Sequence, residues 1–229
     1  IKNLDSLDDL EDTSRATELL LNLARHYYKP IAISSENADV SAAKYLDRVH
    51  PEGLNKGERI FIESVNSFFS DIPDEFDRIE NAVALRNPSN TGIGFQSAGG
   101  FYPDFVIWMD TDEKQYIIFA DPKGLMNVTQ DTKQKIEFCG SGVQALSDEV
   151  DDDVELQSYI VGRLDRTRSG NERSTSDIIE RWSGTLESMG YEGEGRELLN
   201  SANVYLQDEA GRNTIEDIIS DILKNEKGL

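Results

Sequence analysis

A chain of 229 residues has room for one domain with additions or for two small ones, and its single cysteine, Cys139, excludes an internal disulfide and any cysteine-rich zinc site. The histidines His26 and His50 lie outside metal-ligand spacing, no P-loop, GxSxG or dinucleotide fingerprint occurs, and no apolar stretch is long enough to span a bilayer. A net charge of −21 argues against a surface built throughout to bind nucleic acid, which asks for a basic face, although net charge describes the whole surface and not a cleft.

Asp12 or Thr13 can cap a helix running to about Tyr28, with Ala16, Leu19, Leu20, Leu23 and Tyr27 on one face, and Pro30 ends it. A short helix is expected over Ser41 to Val49 and a stronger one over Lys56 to Ser70. Ala82 to Arg86 has strand character, Asn87 to Gly92 that of a loop, and Gly92 to Gln96 is expected to extend the sheet. Two apolar runs follow, Phe105 to Met109 and Tyr116 to Phe119, joined by the polar link Asp110-Thr-Asp-Glu-Lys-Gln115. They predict an antiparallel hairpin. Thr129 to Ser147 is helical in spacing, the acidic run Asp148 to Glu155 a loop or frayed helix end, and Leu156 to Leu164 a strand.

Beyond Arg166 the pattern is helical. Ser174 or Thr175 caps a helix with Ile178, Ile179, Trp182, Leu186 and Met189 as its stripe, stopped by Gly190. Glu194 to Leu206 is expected to be helical too, and Asn213 caps a last helix that buries Ile215, Ile218, Ile219, Ile222 and Leu223. The order gives an α/β core over residues 55–165, with a helical N-terminal extension over 1–54 and a helical C-terminal extension over 166–229 packed on the core.

The hairpin carries the chemistry. A turn centred between Asp112 and Glu113 sets Asp104 opposite Asp121, with Cβ atoms about 4.5–5.5 Å apart. Lys123, two residues on, shares the face of Asp121. The first strand is apolar on both faces, as in a strand covered on both sides, so three charges at one end of it ask for a reason. Opposed carboxylates repel unless a cation lies between them. Mg²⁺ suits them, since it is commonly held by one or two carboxylates plus phosphate and water, and Mn²⁺ can substitute. Lys123 could orient the attacking water or offset transition-state charge.

Among further acids, Glu58 precedes Phe61, Ile62 and Val65 at helical spacing and so sits at the edge of a buried face, whereas Glu63 lies on a polar one. Glu58 is therefore the candidate third metal ligand, the alternative being an early-turn acid favoured by the helix dipole. Lys133, Gln134 and Lys135 begin the helix after the hairpin, and Arg163, Arg166 and Arg168 lie at and after the last core strand. Lys133, Gln134 and Lys135 could contact a phosphate, and Lys133, Gln134 and Arg163 are the candidate nucleic-acid contacts, solvated surface positions being the competing reading.

The succession of a helix with Glu58, a strand, a Pro103-Asp104 strand, an Asp121-Pro-Lys123 strand, a helix and a strand resembles the PD-(D/E)xK nuclease superfamily. The segments Leu85-Arg-Asn-Pro88, Gly99-Gly-Phe-Tyr-Pro-Asp-Phe-Val106 and Asp121-Pro-Lys-Gly124 are similar to the nuclease domain of type III restriction subunits and related superfamily 2 helicases. The resemblance covers roughly Gly57 to Leu164. It implies a restriction-endonuclease-like core, a central mixed sheet flanked by helices. It also implies Mg²⁺-dependent cleavage of DNA in defence against foreign DNA, and a helicase motor in the same longer protein. By it Asp104 and Asp121 would hold the metal, Lys123 would serve catalysis, and Glu58 would match the helix acid. Asp121 stands where the family commonly has Glu, and Pro122 removes a backbone donor at the strand end.

The functional expectation is thus a metal-dependent DNA endonuclease, with a modification subunit or a second copy of the chain as further partners. A repair or recombination nuclease of the same fold, or a nuclease-like module that only binds nucleic acid or a protein, are the alternatives. The chain reads as cytoplasmic with no membrane partner, and its start at Ile1 suggests a fragment of a longer protein. Strong DNA affinity would then come from elsewhere in that protein, a salt-adapted source being a second account of the acidity.

Overall fold

The computed structural model describes residues 18–20, 31–34, 54–88, 92–96, 100–125, 127–163, 175–207 and 214–226. β1 (Glu18–Leu20) and β2 (Ile31–Ser34) form a small antiparallel pair. The helix expected to run through Tyr28 is therefore not present at its Glu18–Leu20 turn: cross-strand pairing with a segment containing two β-branched isoleucines outweighs the helical spacing of the leucines. The helix expected over Ser41 to Val49 lies outside the described residues.

Helix α1 (Lys56–Ser70) has the bounds that its periodicity predicts, and it starts in a capping box. The Asn55 side chain accepts from the Gly57 and Glu58 amides, and the Glu58 carboxylate accepts from the Asn55 amide. A single 3₁₀ turn (Asp74–Phe76) leads into β3 (Ile79–Arg86). β4 (Phe105–Thr111) and β5 (Gln115–Gly124) follow as a hairpin. α2 (Gln130–Glu137) passes through a π-helical turn (Phe138–Gly142) into α3 (Val143–Ser147), and β6 (Val154–Arg163) returns parallel to β5. α4 (Thr175–Ser188), α5 (Arg196–Ser201), β7 (Val204–Gln207) and α6 (Thr214–Glu226) complete the chain.

The sheet order is β3-β4-β5-β6-β7, antiparallel through β5 and parallel beyond it. Side chains alternate across it. Phe105, Ile107 and Met109 of β4 join the layer under α1 and α6, while Val106 and Trp108 face α2 to α5. Burying a large apolar side chain contributes about 1.5–3 kcal/mol, and a surface ion pair about 0–1 kcal/mol. The two apolar layers therefore hold the sheet, and the polar groups at its ends are free to serve other purposes.

Two further expectations are corrected. Glu194 to Leu206 is not one helix: α5 is short, Asn203 takes a left-handed conformation (φ 54°), and Val204-Tyr205-Leu206, favourable to extended backbone, adds a fifth strand beside β6. The C-terminal segment thus supplies part of the sheet as well as helices. Gly92 to Gln96 forms no strand of the sheet, only an isolated bridge between Phe95 and Phe101. The segment folds back onto Asn87 instead, and a Cβ on Gly92 would lie 2.0 Å from the Asn87 side-chain oxygen.

Candidate active site

Strand direction gathers the candidate groups at one end of the sheet. β3, β5, β6 and β7 all finish there, and β4 begins there. Phe105 pairs with Ala120 and Asp110 with Gln115, around a two-residue turn at Asp112 and Glu113, so the next pair outward is Asp104 and Asp121. This is the register the spacing predicts. Asn87 fixes the entry to β4: its amide donates to the Asp104 carbonyl at 2.8 Å, and its side-chain nitrogen donates to the Pro103 carbonyl at 2.7 Å. On the β5 side, the Trp182 indole of α4 donates to the Leu125 carbonyl at 2.7 Å and ties down the chain just past Lys123.

The hairpin register sets the two carboxyl groups side by side, and each acts on the proton affinity of the other. Burial is the largest effect on each. It pushes Asp104 up to about 8, reinforced by the Asp121 charge and by Glu58. It also raises Asp121, against the opposing pull of Lys135 and Lys123. One oxygen of Asp121, Oδ2, is buried without a hydrogen bond. Its nearest cation is the Lys135 ammonium at 3.6 Å, close enough to attract but beyond a normal hydrogen bond. An orphaned carboxylate oxygen beside a second carboxyl held near neutrality suits a hard divalent cation, which would supply the missing positive charge.

Around this pair the structure sorts the other candidates. Lys123, on the same face, donates from Nζ to Asp131 Oδ2 at 2.9 Å and not to Asp121. Lys135 lies 3.9 Å from the same Asp131 oxygen and 5.1 Å over the Phe101 ring, a cation–π contact. Glu58 is committed on both sides: its oxygens accept from Asn55, and Oε2 lies 3.5 Å from Arg86 Nη2. It acts on Asp104 through space, with Arg86 facing both acids. Among the described residues no three His, Cys, Asp or Glu side chains form a metal-holding group, so the chain offers a carboxylate pair. Lys133 is half-buried and Gln134 exposed. The Arg163 backbone pairs with Gly124 and Gln207 at this end of the sheet.

Asp131 is the site residue that residue patterns alone do not single out; they name Lys135 only as a possible phosphate contact, and Arg86 and Asn87 only within the segment Leu85-Arg-Asn-Pro88. Lys135 and Asp131 are one helical turn apart, the one signal that both could face β5. Cys139 offers no nucleophile: it is buried against Ser158, and burial pushes its thiol up to about 12. The exposed acids Asp148 to Asp153 lie before the start of β6, at the opposite end of the sheet from the carboxylate pair. The charge of −21 is therefore not the charge of the site.

No protein-family model matches this sequence, and no curated protein or solved structure matches it either.

Proposed function

We propose that this chain is a metal-dependent phosphodiesterase domain that cuts DNA, on a restriction-endonuclease-like version of the α/β sheet. The observation that carries the reading is the pair of the half-buried Asp104 and the buried Asp121, set opposite each other at one sheet end with Lys123 and Lys135 on the same side. The order α1, β3, β4, β5, α2, β6, with Pro103-Asp104 opening β4 and Asp121-Pro-Lys123 closing β5, is the order the sequence resemblance implies. By that resemblance the larger setting is a restriction or helicase-linked protein.

Asp104 and Asp121 are the residues that would hold Mg²⁺ or Mn²⁺, and the metal would polarise the scissile phosphate and make a bound water more acidic. The chain's own part is electrostatic. Lys123, a quarter exposed, is placed to meet a phosphate oxygen at the rim. Lys135 lies deeper and offsets the Asp121 charge. Arg86 balances Glu58 and Asp104 on the other side of the strand end. Hydrolysis at phosphorus then proceeds in a site whose fixed charges need little rearrangement.

A second reading, a nuclease-like module that binds without cutting, is favoured by Glu58, whose oxygens are already taken by Asn55 and Arg86. Plasmid DNA incubated with the protein and Mg²⁺ or Mn²⁺ separates the two. Cleavage by the wild type that drops by about 10²-fold or more in Asp104→Ala and Lys123→Ala supports the enzyme. Cleavage that survives both substitutions removes this site, and DNA retention without cleavage in any metal favours the binding module.

A further inference from the structure

Lys123 faces a choice between two carboxylates. Asp121 lies two residues before it on the same face of β5, and Asp131 lies across the gap in the first turn of α2. The ammonium goes to Asp131, at 2.9 Å. Asp131 is well placed to win it: Thr129 caps α2, and an acid in the first turn is held by the helix dipole. The Lys123 hydrogen bond lowers the proton affinity of Asp131, so it stays charged. Its Oδ2 draws Lys135 as well, at 3.9 Å, while Lys135 keeps its 3.6 Å approach to Asp121.

We propose that Asp131 is a positioning residue that tethers Lys123 at the rim of the site and so keeps the space between Asp104 and Asp121 clear for a divalent cation. The inference rests on the metal-dependent reading above and names what regulates that same site. Without Asp131 the Lys123 ammonium swings onto the buried carboxylates and competes with the metal. The side chain of Asp131 is 60% exposed, so its removal leaves the apolar layers untouched.

Calorimetric titration of Mn²⁺ into the full chain tests this, with thermal melts to show that each variant is folded. Asp131→Asn should raise the Mn²⁺ Kd by about three- to fivefold, a size in keeping with an exposed ion pair. Asp131→Glu should restore it. In a Lys123→Ala background the same Asp131→Asn change should cost about twofold or less, since the competitor is gone. Equal or tighter binding by Asp131→Asn overturns the tether, as does an undiminished loss in the Lys123→Ala background, which would mark a plain through-space charge effect. Both results leave the metal reading standing, whereas a wild type that binds no Mn²⁺ removes that reading and the tether together.

Discussion

At the scale of single residues, Asp104 and Asp121 are held against their electrostatic preference. Their folded proton affinities lie above the ordinary carboxylate value, so between about pH 4 and 8 the folded metal-free protein binds more protons than the unfolded chain. Stability must then fall as pH rises through that window. Asp104→Asn removes one charge and the repulsion with it. In urea unfolding it should match the wild type near pH 4 and exceed it near pH 8 by a few kcal/mol, since each tenfold change in proton affinity is worth about 1.4 kcal/mol. A variant no more stable than the wild type at pH 8 would show that the pair is not strained. The pair and Lys123 were legible in the sequence because a hairpin register follows from its turn. The partners of Lys123 and Lys135 were not. They depend on how α2 lies across β5, which no local pattern encodes.

At the scale of elements, the site hangs on how β3 hands over to β4. Asn87 is buried and gives its side chain to Pro103 and to both the amide and carbonyl of Ile93. Asn87→Ala leaves those groups without partners and should cost about 1–3 kcal/mol in denaturant unfolding. It should also weaken Mn²⁺ binding, because Asp104 is the next residue on the released strand; unchanged binding would separate the loop from the site. Elements that bury one continuous apolar stripe were legible: α1, the hairpin, and the stripes of α4 and α6. Those decided by pairing were not. β7 follows a left-handed Asn203 and pairs with β6, and β1 pairs with the next strand, β2, so strand pairing overrides helical spacing in both.

At the scale of the whole molecule, the excess of negative charge works against compactness. Salt shortens the Debye length from about 10 Å at 0.1 M to about 3 Å at 1 M. Thermal melts in KCl should therefore rise by several degrees over that range, and a flat or falling Tm would mean that the acids are already balanced. The positions of the acids sharpen this: the exposed Asp148 to Asp153 run and the carboxylate pair lie at opposite ends of the sheet. Salt relieves the former, whereas the buried pair is screened much less.

The two-residue turn at Asp112 and Glu113 has a kinetic consequence. A hairpin this local zips in about 1–10 µs, long before β7 can join across the chain, so the two carboxylates collide early on the folding path. Repulsion between them then belongs to the folding barrier as much as to the native state. Refolding in stopped flow at pH 8 should accelerate in Asp104→Asn while unfolding changes little; the reverse partition would place the encounter of the two strand ends after the rate-limiting step. The site would then be a nucleus that resists its own formation, with a divalent cation as the ligand that speeds it.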